Sequence, residues 1–333
     1  MIKLSVIIPI YNVEEYIVNC IQSVYNQNLD DNEFEIILVD DESPDNSLQL
    51  AKSVTRSFNN VKIISQKNKG LGGARNTGIK LAEGRYVLFL DSDDWYLKNS
   101  LDYILAIALK NDTEILEFGA QLIDTNKKLI KRFQPDNRTE SVIEGIDYKK
   151  SANSINSACN KLYNREFLIN NDLWFSEKIY AEDLEFNTRA FFLSKRVMST
   201  NYIVASFLQQ PNSITRSKDQ AKKDKYISDL ISILLKIKTF RLKHELITVE
   251  KHNFYFNEKM TSICIGIFQE LFKNNASYGT IKIIQQKLIK EDIYYTNHKI
   301  LNRKRNIFRK YVVGYNFLLF RLFLFQYGIK KKF

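Results

Sequence analysis

Apolar residues fall first into short, near-continuous runs. Residues 4–10 (LSVIIPI), 34–39 (FEIILV), 61–65 (VKIIS) and 86–90 (YVLFL) have strand length and little polar alternation, as strands covered on both faces of a parallel sheet require. Helical spacing lies between them. Ile17, Cys20, Ile21 and Val24 share one face of a helix over 14–27. Ser43 and Pro44 read as an N-cap and a first-position proline opening a helix through residue 53. The glycine-bearing turn 67–73 (KNKGLGG) leads into a helix over 74–82 that stops at Gly84. This alternation predicts a doubly wound α/β domain.

Further along, a helix over 98–110 and a strand over 114–124 precede a polar stretch, 125–158, expected to form a hairpin or loop excursion. Residues 160–170 (NKLYNREFLIN) return to helical spacing. The segment 179–195 predicts a helix with Glu182 and Asp183 in its first turn, where carboxylates complement the macrodipole, so capping is the plain reading of Asp183. Residues 197–209 predict a pair of short strands. From Asp219 onward the pattern is helical, over 226–243, 252–272, 278–290 and 302 to the end. The expected division is a catalytic domain, 1–218, with halves 1–97 and 98–218, followed by a helical region, 219–333.

The strand ends carry the candidate chemistry. The run 86–90 stops in Asp91-Ser92-Asp93-Asp94, and 34–39 stops in Asp40-Asp41-Glu42. Ligands of open α/β sheets bind at the carboxyl edge, so Tyr11, Asp41 and Asp93 are expected on one edge. Carboxylates this close raise one another's pKa unless a cation lies among them, which suits a divalent ion on a phosphate.

Charge changes the picture only at the C-terminus. Of the net +11, residues 299–333 supply ten Lys or Arg and no Asp or Glu, which leaves +1 for residues 1–298. A nucleic-acid partner is therefore not indicated for the catalytic half. Residues 312–329 (VVGYNFLLFRLFLFQYGI) approach the length of a short membrane span but are interrupted by Asn316 and Arg321 and flanked by basic clusters. A helix lying in an anionic membrane surface fits; a docking helix of the C-terminal bundle or of a homo-oligomer is the alternative. Cys20, Cys159 and Cys264 have no metal-ligand spacing, and no leader precedes the first strand, so a reduced, cytoplasmic setting at the inner membrane face is expected.

Five stretches resemble the inverting family 2 glycosyltransferases of the GT-A fold, in order and at that family's spacing over roughly residues 3–217. They are SVIIPIYN with its helix, ILVDDESPDNS, NKGLGGARNTGIKLAEGRYVLFLDSDD, NKLYNREFL and AEDLEFNTRAF. The resemblance implies a non-processive hexosyltransferase moving one sugar from a UDP-sugar to a hydroxyl of a glycan or lipid-linked glycan in surface polysaccharide biosynthesis. It places Pro9 and Tyr11 against the donor base, Asp41 at the uracil edge, and Asn68 and Arg75 near the nucleotide. It gives Asp91 to ribose or the metal shell, Asp93 to Mn²⁺ or Mg²⁺ on the diphosphate, and Asp183 the role of catalytic base. Glu182 reads either as an acceptor-orienting group or as a solvated helix-end residue, and Lys161 as a phosphate or acceptor contact or a surface lysine.

Two departures stand out. Glu42 occupies the usual glycine of an Asp-Asp-Gly-Ser turn, so the turn is expected to differ. The loop FLQQPNSIT lacks the Tyr, Arg and His often found there. A processive synthase is excluded because neither Trp95 nor Trp174 follows arginine. A nucleotidyltransferase of similar α/β fold stays open, and would release pyrophosphate.

Overall fold

The structure is a computed structural model and describes residues 1–135, 141–151, 154–210, 219–244 and 250–317. Contacts divide the chain into two compact units, Met1–Arg216 and Ser217–Phe333.

In the first unit, β1 (Leu4–Ile10), β2 (Phe34–Asp40), β3 (Val61–Ser65) and β4 (Tyr86–Phe89) are parallel and lie in the order β3-β2-β1-β4. Leu4 pairs with Phe34 on one side and Tyr86 on the other, so Ile10 ends opposite Asp40 and Ile7 opposite Phe89. Chain order reverses across β1. The crevice at such a switch point, outside the carboxyl ends, is where open α/β sheets hold ligands.

The sheet continues through β5 (Trp95–Tyr96), β6 (Ile115–Ile123), β7 (Leu129–Phe133), β8 (Lys161–Asn164) and β9 (Val197–Leu208). Beyond β4 the order is β8-β6-β9-β5, with β7 pairing β6 as an antiparallel hairpin. Two expectations are corrected here. Residues 161–164 are a strand, antiparallel to both β4 and β6, and helix α6 begins only at Arg165. Residues 197–208 are a single strand, parallel to β6 with register shifts around Gly119, and not a pair.

The helices of this unit are α1 (Ile17–Tyr25), α2 (Ser47–Val54), α3 (Gly70–Leu81), α4 (Leu101–Asn111), α5 (Gly145–Ser151), α6 (Arg165–Asn170) and α7 (Glu182–Leu193). α5 lies inside the stretch expected as an excursion. α2 starts four residues after the expected cap, because Asp45 accepts from the Ser47 N–H at 3.1 Å, while Ser43 Oγ accepts from Asn12 N–H at 3.3 Å. The third helix packs on β1 and β2, closely enough that glycine is needed where it meets its neighbours. A Cβ at Gly78 would come within 2.3 Å of Ile7 Cγ2, and one at Gly72 within 2.3 Å of the Ser176 carbonyl oxygen. That approach seats Arg75, fully buried, beneath the strand ends.

The second unit contains α8 (Gln220–Lys243), α9 (Glu250–Lys273), α10 (Tyr278–Lys290) and α11 (Arg303–Phe308), followed by a π-helical turn, Arg309–Val313. Ile227, Leu230, Leu234 and Ile237 of α8 and Phe256, Ile263, Ile267 and Phe268 of α9 are buried at helical spacing. The helix expected from 302 to the end is interrupted, since Asn316 and Phe317 take positive φ and Phe317 turns inward, 4.9 Å from Phe268. Residues 318–333, with Arg321 and the final lysines, lie outside the described residues, as does most of the 207–215 loop. Among the described residues no helix is long and apolar enough to cross a membrane.

Candidate active site

The ends of β1, β2 and β4 bring their following residues to one edge. Tyr11, after β1, is 51% exposed. Asp41, after β2, is buried; its Oδ1 accepts from Gln66 Nε2 at 2.7 Å and from Lys69 N–H at 2.9 Å. Asn68 joins it by donating from Nδ2 to the Asp41 carbonyl at 3.0 Å. Glu42 does adopt the left-handed conformation that glycine would favour, with φ 66°. Its carboxylate accepts from Asn68 N–H at 3.1 Å, which offsets part of the backbone strain and keeps the turn. The expectation of an altered turn is thereby corrected.

After β4 the chain turns tightly, with Asp94 N–H donating to the Asp91 carbonyl at 2.9 Å. Ser92 Oγ donates to the Pro9 carbonyl, tying this turn to β1. Asp94 is buried and accepts from Leu208 N–H at 2.7 Å. Burial, then the charges of Asp93 and Asp91, push its carboxyl well above the usual range. Asp93 is half-buried and accepts from Gln210 Nε2 at 3.0 Å.

Arg75 is the hub. Its Nη2 donates to Asp91 Oδ1 at 2.7 Å, and its Nη1 donates to both Glu182 Oε1 and Asp183 Oδ1 at 2.7 Å. The guanidinium lies 5.2 Å from the Phe175 ring centroid, a cation–π contact in a dry setting. No side chain caps α7, whose N-cap Ala181 is left-handed at φ 59°. Asp183 points into the cluster, where Oδ2 also accepts from Ala158 N–H at 2.8 Å. Its side chain stays 21% exposed, against 8% for Glu182, so Asp183 is the one of this pair open to a ligand. The solvated reading of Glu182 is corrected by its burial.

One guanidinium faces three carboxylates. Burial and the Asp183 charge, opposed by Arg75, push Glu182 up to about 7. Asp183 is also raised, by burial first and by Asp91, against Arg75 and the Ala158 N–H. Groups that bind protons more tightly folded than unfolded make stability fall as pH rises between the two pKa values. For Glu182 that window runs from about 4.5 to about 7. Glu182→Gln removes one such titration. Its stability relative to the parent is expected to improve as pH rises through this window and to level off above it, in urea unfolding at a series of pH values. A difference independent of pH would show Glu182 ionised throughout.

Lys161 is not gathered into this cluster. Its side chain is fully buried in β8, and Nζ donates to the Ile155 carbonyl at 2.9 Å, the Ser157 carbonyl at 2.7 Å and Asn160 Oδ1 at 2.8 Å, with Glu117 Oε1 at 3.2 Å. Both readings made from sequence, substrate contact and surface lysine, are corrected: a central strand position leaves no route to solvent. Glu117, Ala158, Gln210 and Glu42 were missed as site partners. Glu117 had a signal, as the one charged residue in a largely apolar strand; a backbone N–H such as that of Ala158 has none.

The family model of glycosyl transferase family 2 matches residues 5–171. The chain belongs to this family of glycosyltransferases. Among relatives, an uncharacterized glycosyltransferase of Bacillus subtilis, EpsJ, is 33% identical over 67% of this chain and 66% of its own length. The poly(ribitol-phosphate) beta-N-acetylglucosaminyltransferase TarS of Staphylococcus aureus is 31% identical over 59% of this chain and 34% of its own length. The crystal structure of S. aureus TarS 1–349 in complex with UDP-GlcNAc superposes with a TM-score of 0.59 at 22% identity, covering 89% of this chain and 90% of that one, and shows the shared GT-A fold. The chain thus spans about two thirds of EpsJ and about one third of TarS. Arg75, Asp91 and Asp93 of this family 2 chain lie inside the matched residues, whereas Glu182 and Asp183 lie beyond them.

Proposed function

We propose that this chain transfers one sugar, with inversion, from a UDP-sugar to a hydroxyl of a surface glycan or its lipid-linked precursor. The observation that carries the reading is the Arg75 bridge, which fixes Asp183 at the start of α7 against Asp91 at the end of β4. A base on the acceptor side is thereby held at a set distance from the donor edge, as an in-line displacement needs. The names of TarS and of a Bacillus spizizenii relative, poly(ribitol-phosphate) beta-glucosyltransferase, support a hydroxyl-rich polymer as acceptor.

In this reading Tyr11 and Pro9 flank the base, Asp41 and Asn68 meet the uracil side, and Asp91 approaches the ribose. Asp183 takes the proton of the attacking hydroxyl on an oxygen lone pair that Arg75 and Ala158 leave open, and Arg75 then holds the neutral carboxyl in place. Burial makes Asp183 a stronger base than an exposed aspartate. Among the described residues no group of three or more His, Cys, Asp or Glu is arranged as a metal site. The chemistry of the residues nonetheless suits a hard ion, because the carboxylates of Asp91, Asp93 and Asp94 follow one another in the turn at the strand end. Asp93 would hold Mn²⁺ or Mg²⁺, which when bound supplies positive charge for the leaving diphosphate.

The test is UDP release from a panel of UDP-sugars, with and without Mn²⁺. Turnover of one donor is expected to fall about 10²- to 10⁴-fold in Asp183→Asn, and to lose its metal dependence in Asp93→Ala. Pyrophosphate in place of UDP would make the chain a nucleotidyltransferase.

The membrane reading has support in the described part of the tail. Ile307, Tyr311 and Tyr315, at fourfold spacing, are 51%, 43% and 54% exposed beside the exposed cations Arg303, Lys304 and Lys310. Apolar and basic groups on one face suit an anionic lipid surface. Binding to phosphatidylglycerol liposomes is expected and should be lost on deleting residues 299–333; unchanged binding would overturn it.

A further inference from the structure

The outward face of α1 is unusual in having no charge. Ile17–Tyr25 contains no Asp, Glu, Lys or Arg, in a chain where those residues make up 26%. Exposed helix faces ordinarily carry Lys and Glu. Here the exposed positions are Asn19 and Gln22, continued by Asn26, at i, i+3 and i+7 and so on one face.

A cavity of about 630 Å³ opens between this face and residues 95–99. That volume is within the usual range for ligand sites. Asn28 and Asn99 extend the amide lining, the half-buried Trp95 forms one wall, and Lys98 is the only charged group among the lining residues. Gln27 pins the walls together. Its Nε2 donates to the Ser23 carbonyl at 2.7 Å and the Leu97 carbonyl at 3.0 Å, and its Oε1 accepts from Ser100 N–H at 2.8 Å and Leu101 N–H at 3.2 Å. The groove is therefore preformed.

Its chemistry selects a class of ligand. A primary amide donates and accepts at once, which matches vicinal hydroxyls, and five exposed amides give several such pairs. An accessible indole edge or face gives apolar contact to the C–H groups of a sugar ring. The lining has no carboxylate to seek a cation, and its lone lysine is too little charge to hold a polyanion.

We propose that this groove is a glycan-binding site, distinct from the donor edge, that holds a neutral stretch of a hydroxyl-rich chain of two or more sugar units. It shares no residue with the cluster around Arg75. A chain bound here and also presented to Asp183 would gain effective concentration at the transfer site, so long acceptors would be favoured over short ones.

The two tryptophans make the test direct. Trp174→Phe leaves Trp95 as the only indole, and its emission reports the groove. Maltohexaose, cellohexaose and chitohexaose are titrated into this variant. A saturable change in emission is expected with at least one of them, weakened at least tenfold by Asn19→Ala, Gln22→Ala and Asn26→Ala combined. Alanine is the better helix former at Asn19 and Gln22, and the exposed Asn26 after the helix keeps its backbone N–H bond to the Gln22 carbonyl when its side chain is cut, so the triple variant keeps its fold. UDP-sugar hydrolysis is expected to be unchanged in it, which separates this site from the transfer reading. No saturable response to any hexasaccharide, or one that survives the triple alanine variant, overturns the proposal.

Discussion

Arg75→Met is expected to destabilise the N-terminal unit by about 3–5 kcal/mol, the usual cost of removing one partner from a buried ionic cluster. Methionine fills much of the volume and keeps apolar contact with Phe175, so the loss is electrostatic, the cation–π attraction included. Asp91, Glu182 and Asp183, each 2.7 Å from the guanidinium, would face one another without a counter-charge. They would respond by taking up protons, so the loss is expected to be larger at pH 8 than at pH 5. Arg75→Lys should recover only part of it, because a compact ammonium cannot fork to three acceptors as the planar guanidinium does. Urea unfolding followed by tryptophan emission reads this unit alone, since Trp95 and Trp174 both lie within it. A loss below about 1 kcal/mol, the value typical of exposed pairs, would show that the cluster is solvated.

Lys161→Met should cost a similar amount, about 3–5 kcal/mol, for a different reason. Glu117 would remain buried and charged, with 0% side-chain exposure, and the Ile155 and Ser157 carbonyls would lose their donor. In the parent, burial alone would raise Glu117, but the charges of Lys161 and Lys149 bring it below the usual range. Tyr148 and Ser154 also donate to its Oε2, at 2.8 and 2.6 Å. Combining Lys161→Met with Glu117→Gln removes both charges, and the double variant is expected to be more stable than Lys161→Met alone. Additive losses would mean that the two side chains do not interact. Because Lys161 fastens residues 155–160, and Ala158 donates to Asp183, the single variant should also slow turnover.

Much of the parallel half was readable because period and burial agree there. Residues 4–10, 34–40 and 86–89 present apolar side chains to both faces, with Ser5, Glu35 and Asp40 as exceptions, and all three strands are buried throughout. Residues 161–170 misled because Leu162, Tyr163, Phe167 and Leu168 satisfy helical spacing although a strand runs straight into a helix. The boundary is set by Asn164, whose side chain accepts from Phe167 N–H at 3.0 Å. The strand of residues 197–208 looked like two because Ser199, Thr200 and Asn201 interrupt its apolar pattern; its register with the sixth strand also jumps there, from Ser199 to Ile203, but the backbone stays extended and pairs again to Leu208. At the site, residues following strand ends could be placed on one edge by topology. The contact of Arg75 with Glu182, 107 positions away, could not, since nothing local to either residue records it.

The bridge at Arg75 also limits how such enzymes can be recombined. Asp91 follows the fourth strand and Asp183 lies in the first turn of the seventh helix, yet one side chain is hydrogen-bonded to both. A chimaera that imports residues 172–210 from a relative therefore inherits a carboxylate pair fitted to whatever stands at that relative's counterpart of Arg75. Segments that do not touch the guanidinium are free of this constraint. Residue 75 and the pair 182–183 have to travel together.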